Sequence, residues 1–487
     1  MRKKRILAEL DTSLILGEGF RVTRSKREFN PHVIQPEVLT TLRVQSEWLL
    51  REGHRISEAA WADAVEEDTE VLDTAVRLDT SLPLFTPMST TLKPLEGLLR
   101  PVDLQPQAKR PRYIPNMALT AAARRKVKGH HRARIRRVEQ RATVQQQLGT
   151  GLKAVAIRKG IETQSRASIC TFVGPGATAW TGSRAPVPYP KIYSVSDVLA
   201  LSGLQYVEWD ARLYKSEDGL HWAALLGYSG DGISWLKNAE RLDELLLQAH
   251  QSLQFPKHAQ RPRRGDYDSL SVGYSHGQGQ LHPMNFAVSK HNHPILQALL
   301  GSPEINRVAR FMDHNLELYF PKVHRLLTNL TEILLGIEGL QLKRVFKDCC
   351  YAASQLNFSR AATDPHLDFM NAFFLCCGIW NGGRFDYKRG GQFIMWSLGI
   401  VVEFPPGAGI LVPSASVTHA NVPIGPEEHR HSVTFFTAAG ILRWYFNGFM
   451  NDNQFLDQAS EVQKEDWTQY RTDLWKFGLD MLRYDQL

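Results

Sequence analysis

The pattern of apolar and polar positions predicts helices in the central part of the chain. The stretch GISWLKNAERLDELLLQAHQSL, residues 232–253, has the composition and spacing of a helix. A second helix is predicted from Ser302, a favourable N-cap residue that Pro303 and Glu304 follow at the first turn. Apolar residues at Ile305 and Val308 continue it at helical spacing.

From Gly390 onward the pattern changes to short β-rich runs. GGQFIMW, GIVVEF, GILVPS and HSVTFFT are separated by turn signals such as PPG. Helices followed by closely spaced strands favour an antiparallel sheet or jelly-roll core with helices packed outside it. The sequence therefore predicts an α+β fold.

Length and composition indicate a folded protein. With 487 residues and 43% hydrophobic residues, the chain can bury a large core. No apolar run approaches the roughly 18 residues that a membrane helix needs. Glu9 and Asp11 interrupt the apolar segment near the N-terminus, which is unlike a signal peptide. We expect an intracellular protein with no membrane partner.

The five cysteines are Cys170, Cys349, Cys350, Cys376 and Cys377. None is spaced as C-x2-C, and their number is odd. This arrangement does not predict a zinc cluster or a disulfide framework, so a reducing compartment is expected.

The positive charge of the chain lies in one segment. Residues 108–160 contain fifteen Lys or Arg and one acid, a net charge of +14, whereas the whole chain carries +8. Such density indicates contact with a polyanion, and it also fits a nuclear-import signal or a solvated tail. The segment has good helix formers, interrupted at Gly129. We therefore divide the chain into an irregular or helical N-terminal extension (1–107), a basic DNA-binding and nuclear-import segment (108–160) and a globular domain (161–487). The residues expected to contact the DNA backbone are Arg124, Arg125, Lys126, Lys128, Arg132, Arg134, Arg136 and Arg137.

Candidate metal ligands occur in DPHLDFMN, residues 364–371. His366 and Asp368 are two residues apart, so in an extended segment both side chains lie on one face. Alone the motif is weak, because a turn in which Asp368 bonds nearby backbone explains it equally well. After the β-rich runs come His419 and Arg430. Two histidines and a carboxylate form the facial triad of non-haem Fe(II) oxygenases, and a nearby arginine can bind the far carboxylate of 2-oxoglutarate.

The segment RHSVTFF also orders the residues around Arg430. If it is a strand, Arg430, Ser432, Thr434 and Phe436 lie on one face. The flanking His429 and the intervening His431 then point away from the metal.

At this point the sequence resembles a known family, the TET/JBP class of Fe(II)- and 2-oxoglutarate-dependent dioxygenases of methylated nucleobases, in particular its fungal branch. The resemblance extends from about residue 200 to 447. It rests on SVGYSHGQGQLHPMN, PHLDFMN, FDYKRGGQFIMWSLGIVVEFPPGAGILVPSASVTHANVPI and HRHSVTFFTAAGILRWYFNGF. It implies a double-stranded β-helix core flanked by helices, within a dioxygenase domain over residues 161–487.

The resemblance also implies roles for single residues. His366, Asp368 and His419 match the iron ligands, and Arg430 with Ser432 matches the R-x-S that binds 2-oxoglutarate. A second 2-oxoglutarate contact from the N-terminal half of the domain is expected, and the sequence leaves Arg344 and Arg360 open for it.

For the nucleobase, Asn371 matches the family asparagine that hydrogen-bonds the flipped base, and Phe436 matches the aromatic residue that stacks on it. Ala438 stands where animal members have a base-contacting histidine, which leaves cytosine selectivity open. The cysteine-rich zinc-binding region of animal members has no counterpart here, so the basic segment is the expected substitute.

The function implied is oxidation of 5-methylcytosine in double-stranded DNA to 5-hydroxymethylcytosine, and further to the formyl and carboxyl forms. Fe(II), 2-oxoglutarate and O2 are the expected cofactor and co-substrates, and the nucleus is the expected location. The base must leave the stack to reach a buried metal. One alternative keeps the chemistry but acts on N6-methyladenine in DNA or on a methylated base in RNA. A second is a catalytically inactive nucleic-acid-binding protein on the same fold.

Overall fold

The structure is a computed structural model. It describes residues 90–100, 179–182, 194–277 apart from 203, 217–218, 230–231, 256–264 and 266, then 279–483, and the backbone of the short strands at 21–22, 28–29 and 163–164. Two compact units divide the chain, Met1–Leu99 with Glu162–Leu487 and Arg100–Ile161. Apart from Arg100, the described residues belong to the first unit.

Fifteen strands and eight α-helices lie in the described part of the chain. The strands are β1 (Arg21–Val22), β2 (Glu28–Phe29), β3 (Thr163–Gln164), β4 (Gln205–Val207), β5 (Arg212–Lys215), β6 (His221–Leu226), β7 (Asp268–Ser275), β8 (Met284–Asn285), β9 (Ala353–Phe358), β10 (Cys377–Arg384), β11 (Phe393–Met395), β12 (Ile400–Val402), β13 (Gly409–Val412), β14 (His419–Asn421) and β15 (His429–Phe436). The helices are α1 (Val195–Ser202), α2 (Ile233–Ser252), α3 (Asn292–Gly301), α4 (Pro303–Tyr319), α5 (Pro321–Leu335), α6 (Ala439–Phe446), α7 (Asp452–Gln458) and α8 (Glu461–Met481). Short 3-10 turns lie at Leu95–Leu99, Glu338–Leu340 and Trp396–Leu398.

Two sheets form a jelly roll. The larger sheet has the order β3-β5-β6-β13-β10-β15-β9-β7-β8, and the smaller has the order β14-β11-β12-β4. An isolated antiparallel bridge between His366 and His419 adds one more segment beside β14. From β9 to β15 the chain passes repeatedly between the two sheets, and the pairs within this core are antiparallel. This strand order is that of a double-stranded β-helix, so the predicted fold class is confirmed.

Helices cover the outer face of the larger sheet. Trp235 and Leu242 of α2 and Met312 of α4 are fully buried there. At Gly378 of β10 a Cβ atom would lie 2.9 Å from Cε of Met312. The missing side chain at Gly378 therefore lets α4 approach the centre of the sheet closely. At the centre of the larger sheet the outer face is thus packed against apolar side chains of the helices.

The predicted helices are confirmed. Residues 233–252 form α2. α4 begins at Pro303, and the Ser302 hydroxyl accepts a hydrogen bond from the Ile305 N–H at 3.4 Å, as an N-cap does. Each of the four β-rich runs also contains a strand, in β11, β12, β13 and β15.

The β-rich part begins earlier than predicted. β9 and β10 precede Gly390, and β10 reads CGIWNGGR, with three glycines and an asparagine that lower strand propensity. Its neighbours β13 and β15 hold it in the sheet through backbone pairing on both edges. Tertiary pairing therefore outweighs local propensity at this strand.

The ends of the described chain pack on this domain. Leu95 and Leu98 are buried in the main core, and the Lys93 N–H donates to the Phe446 carbonyl at 2.9 Å. Ser460 caps α8 with a capping box. No helix in the described ranges has both the length and the apolar character needed to cross a bilayer.

Candidate metal centre

Three side chains with metal-ligand chemistry meet between the ends of the two sheets. The backbone N–H of His366 donates to the carbonyl of His419 at 3.0 Å, and the N–H of His419 donates back at 3.1 Å. The Asp368 N–H donates to the Ser414 carbonyl at 3.0 Å. These bonds place Nε2 of His366 3.6 Å from Oδ1 of Asp368, and Nε2 of His419 3.9 Å from Oδ2. All three residues are buried.

The ring orientation of both histidines suits a metal. Nδ1 of His366 donates to the Asp364 carbonyl at 2.7 Å, and Nδ1 of His419 donates to the Val417 carbonyl at 2.8 Å. With the proton on Nδ1, each Nε2 presents its lone pair to the space in front of Asp368. Neighbouring ligand atoms at about 2.0–2.2 Å from one ion lie about 3 Å apart. The Nε2 atoms and the Asp368 oxygens would therefore have to approach each other by less than about 1 Å to bind the same ion. The set fits a facial triad.

Arg430 of β15 is a buried cation on the inner face of the barrel. The residue is 1% exposed, and none of the ion pairs among the described residues involves it. One Nη1–H donates to the Ala361 carbonyl, Nε has no hydrogen-bond partner, and the guanidinium carbon lies 5.5 Å from the centre of the Phe404 ring. Burial lowers the pKa of Arg430 to about 10. A charge held in this way fits an anionic ligand such as the 2-oxoglutarate carboxylate.

The backbone opposite Arg430 requires glycine. Gly383 of β10 pairs with Arg430 and has a φ of 133°. A Cβ atom there would lie 2.3 Å from the His429 carbonyl oxygen and 2.8 Å from Cα of Arg430. The close approach of β10 and β15 at this point therefore depends on the absence of a side chain.

Polar side chains form a row across the inner face beside Arg430. Cross-strand pairing aligns Asn381 of β10, Ser432 of β15, Asn357 of β9 and Ser269 of β7. Nδ2 of Asn357 donates to Oγ of Ser432 at 2.9 Å. Nδ2 of Asn381 donates to the Pro405 carbonyl at 2.9 Å, while its fully buried Oδ1 has no partner. We name Ser269, Asn357, Asn381 and Ser432 the polar row.

Sequence reasoning did not find Asn357 and Asn381. Each is the one asparagine of a largely buried strand, ASQLNF and CGIWNGGR. That isolated polar residue was the available signal, because a buried asparagine needs hydrogen-bond partners.

The residues assigned to the base lie in or next to residues 364–371, which carry His366 and Asp368 and which we name the metal loop. The Asn371 N–H donates to the Asp368 carbonyl at 2.9 Å, and an isolated bridge joins Asn371 to Ala438. Nδ2 of Asn371 donates to Sγ of Cys377 at 3.2 Å, so its amide nitrogen is held by the barrel wall. Phe436 is the last residue of β15, lies on the same strand face as Arg430 and is half-buried. The structure therefore brings Asn371, Ala438 and Phe436 to the end of the barrel beside the metal ligands.

Comparison with known proteins finds similarity only among solved structures. No protein-family model and no curated protein matches the chain. NgTET1 in complex with 5mC DNA is 14% identical, with 49% of this chain and 83% of that chain covered and a TM-score of 0.33. An oxidoreductase of the 2OG-Fe(II) oxygenase family from Burkholderia pseudomallei is 17% identical, with 45% and 84% covered and a TM-score of 0.26. OsALKBH1 is 12% identical, with 48% and 99% covered and a TM-score of 0.24. Our assignment of the jelly roll rests on the strand order.

His429 and His431 lie on the outer face of β15, behind Arg430, and contact α2. Nε2 of His429 lies 2.9 Å from Oδ2 of Asp243, and Nε2 of His431 lies 3.7 Å from Oδ1. Nδ1 of His431 accepts the Ser359 N–H at 3.2 Å, so its proton is on Nε2, facing the carboxylate. Burial lowers the pKa of His431 to about 3 and raises that of Asp243. His429 therefore supplies the hydrogen bond that joins β15 to α2, whereas Nε2 of His431 and Oδ1 of Asp243 are buried beside it without a hydrogen-bond partner.

A third group with ligand-type side chains is also bonded internally. Asp313 of α4 accepts the Cys350 N–H at 2.8 Å through Oδ1, and Nε2 of His324 lies 3.1 Å from Oδ2. Burial raises the pKa of the Cys350 thiol well above its usual value. The carboxylate thus connects α4, α5 and the segment before β9.

Neither arginine considered for the second 2-oxoglutarate contact points to the polar row. Nη2 of Arg344 pairs with Oε1 of Glu332 at 2.5 Å. Arg360 donates to the carbonyls of Gly425 and Pro426 at 3.0 and 2.7 Å. Both guanidinium groups are bonded elsewhere, and polar-row asparagines occupy the position beside Arg430.

The residues predicted to contact the DNA backbone lie outside the described residues. They fall between residues 124 and 137, within the basic segment 108–160.

Proposed function

We propose that the chain is an Fe(II)- and 2-oxoglutarate-dependent dioxygenase that oxidises 5-methylcytosine in DNA to 5-hydroxymethylcytosine, and on repetition to the formyl and carboxyl forms. The observation that carries the proposal is the convergence of His366, Asp368 and His419 in one buried jelly-roll site that also contains the buried cation Arg430. This combination matches the needs of a metal and of a dianionic co-substrate together.

The metal would be held by Nε2 of His366, Nε2 of His419 and the carboxylate of Asp368. When bound, Fe(II) with 2-oxoglutarate and O2 supplies the oxidation of an unactivated C–H bond. The chain contributes the orientation of the ligands, because both imidazole rings are fixed by their Nδ1–H bonds to backbone carbonyls.

Arg430 and the polar row would bind 2-oxoglutarate. The guanidinium can form two parallel hydrogen bonds to the far carboxylate, and Ser432 lies two residues along on the same face of the strand. Oδ1 of Asn381 has no hydrogen-bond partner, so it could accept one from a bound water or a guanidinium N–H. Because the site is buried, solvent would screen the attraction between the Arg430 guanidinium and the 2-oxoglutarate carboxylate only weakly.

Asn371 and Phe436 would bind the extruded base. Phe436 is a half-buried aromatic residue at the end of β15, and base–aromatic stacking stabilises a base outside the helix by about 1–3 kcal/mol. Asn371 lies three residues after Asp368, so a base in contact with it sits close to the metal loop. Since extrusion costs a few kcal/mol, stacking and edge hydrogen bonds must together offset that cost.

The basic segment 108–160 would hold the DNA backbone and direct the protein to the nucleus. Its net charge of +14 is sufficient to contact several phosphates.

Two alternatives remain, each with a feature that favours it. Oxidation of N6-methyladenine in DNA, or of a methylated base in RNA, is favoured by Ala438, which is small, buried and bridged to Asn371. An inactive nucleic-acid-binding protein would explain the basic segment alone. The intact metal triad and the buried Arg430 argue against inactivity, because a site without a ligand has no use for an unpaired buried charge.

One experiment separates these functions. The purified protein is incubated with Fe(II), 2-oxoglutarate and one of three substrates: duplex DNA with 5-methylcytosine, duplex DNA with N6-methyladenine, or methylated RNA. Nucleosides and the remaining 2-oxoglutarate are quantified by mass spectrometry. Asp368→Ala should abolish both methyl oxidation and 2-oxoglutarate decay, whereas Asn371→Ala should preserve the decay and impair methyl oxidation. Asp466→Ala, an exposed carboxylate on α8, is the matched control. Product from methyladenine alone would refute the cytosine assignment, and no product from either base or from methylated RNA would support the inactive alternative.

A further inference from the structure

The loop between β7 and β8 forms a compact turn. Ser275 pairs with Met284 at its base. The Gln280 N–H donates to the Gly277 carbonyl at 3.0 Å, and the Gly277 N–H donates back to Oε1 of Gln280 at 3.2 Å. Gly279 has a φ of 80°, which glycine adopts without strain. We name the described residues of this loop, 276–277 and 279–283, the rim loop.

The rim loop is braced against α6, the helix that follows β15. His276 is buried, and its Nδ1–H donates to the Gly440 carbonyl at 3.0 Å. Nε1 of Trp444 donates to the Leu281 carbonyl at 3.2 Å. Both bonds join side chains to backbone across the interface, so they fix the path of the loop.

This loop lies beside the metal loop and the base-side residues. A Cβ atom on Gly277 would lie 3.2 Å from Cε of Met370, which is two residues after Asp368. The Met370 carbonyl accepts the Ala439 N–H at 2.9 Å. The rim loop, the metal loop and the start of α6 therefore meet where β15 ends in Phe436.

Leu281 is the exposed apolar residue of the rim loop. Its backbone carbonyl is held by Trp444, yet its side chain is 52% exposed. Single exposed leucines are common and need no explanation by themselves. Here the side chain projects from a braced loop at the rim of the candidate active site. The loop that carries Leu281 is therefore already ordered before a partner binds. A preformed contact loses little conformational entropy on binding.

We infer that Leu281 enters the base stack of duplex DNA and fills the space that the extruded base leaves. This inference rests on the proposed function, since it requires a base to be taken from a duplex. An apolar side chain in that space maintains contact with the neighbouring bases and slows the return of the base. Contact with the apolar surface of a protein partner is the competing role.

The test compares Leu281→Ser with the conservative Leu281→Met on paired and unpaired substrates. Ile233→Ser, at a 67% exposed residue of α2, is the control. On duplex DNA with 5-methylcytosine paired to guanine, Leu281→Ser should lower kcat/KM roughly 10-fold, the size expected when a filled gap in the stack is lost. On the same strand without its complement the loss should be below about twofold. Leu281→Met should retain most of the duplex activity. Equal losses on both substrates, or no loss on the duplex, would overturn the inference.

A second readout is independent of oxidation. Duplex DNA with 2-aminopurine at the target position is saturated with protein in the absence of 2-oxoglutarate, and fluorescence reports the unstacked base. The rise seen with wild type should disappear with Leu281→Ser and persist with Ile233→Ser. An equal rise with Leu281→Ser, or no rise with wild type, would contradict the role of Leu281. If wild type oxidises no base but shows the Leu281-dependent rise, the proposed function fails and the role of Leu281 stands.

Discussion

Arg430→Met should stabilise the protein while it removes 2-oxoglutarate binding. The side chain is 1% exposed, and burial lowers its pKa from 12.5 to about 10. Below pH 10 Arg430 is charged in both the folded and the unfolded protein. Folding at neutral pH therefore includes the whole cost of burying this charge, about 3 kcal/mol for this difference in pKa. Methionine removes the charge and keeps a similar length. It loses one hydrogen bond to Ala361, which contributes roughly 1–2 kcal/mol. The expected net gain in the free energy of unfolding is about 1–2 kcal/mol.

Two measurements check this expectation. Denaturant unfolding at pH 7.5 gives the free energy of unfolding for metal-free wild type and Arg430→Met. Thermal unfolding with and without 2-oxoglutarate then reports binding, because a ligand that binds the folded state raises Tm. The ligand should raise Tm for wild type and leave Arg430→Met unchanged. Arg360→Met is the matched control, since its guanidinium bonds backbone carbonyls of residues 424–426, and it should retain the shift.

A loss of stability of about 2 kcal/mol or more in Arg430→Met, together with an unchanged increase in Tm on addition of 2-oxoglutarate, would refute this role of Arg430. That outcome would make Arg430 a structural charge that is satisfied within the protein.

Two further predictions concern stability. Burial lowers the pKa of His221 and His276 to about 4 and that of His431 to about 3, so below pH 6.5 the unfolded chain binds protons that the folded chain does not. The free energy of unfolding should therefore fall as pH decreases from 6.5 to 4, by about 1.4 kcal/mol per pH unit for each such histidine, and denaturant titrations of His221→Asn should show a smaller slope. Gly440→Ala should lower Tm and loosen the rim loop, because a Cβ atom there would lie 2.1 Å from the His276 carbonyl oxygen. Unchanged proteolysis of the loop in this variant would count against its bracing by α6.

Local signals predicted the helices well. The whole N-terminal signal of α4 lies within four residues, at Ser302, Pro303 and Ile305. The hydrogen bond from the Ile305 N–H to the Ser302 hydroxyl is local in sequence. Such a pattern needs no knowledge of the fold. Turn signals around Gly407 likewise separate β12 from β13.

The site was predicted only in part, because much of it depends on register between distant strands. The spacing of His366 and Asp368 is visible in the sequence, and so is the alternation along β15. Asn357 is 75 residues away from Ser432 in sequence. It reaches the site only because β9 pairs with β15 in one particular register. A shift of one residue would turn Asn357 to the outer face. No local pattern specifies that register.

The reciprocal backbone bonds between His366 and His419 have a consequence for how the proposed site would acquire and lose a metal. They join two segments 53 residues apart through backbone atoms alone, so the pairing that brings the two histidines together does not use a metal bond. An ion can therefore enter after folding is complete, and a chelator can withdraw it without melting the barrel. If iron binds there as proposed, its loss would be a reversible exchange on a folded domain, unlike the coupled folding of a zinc finger.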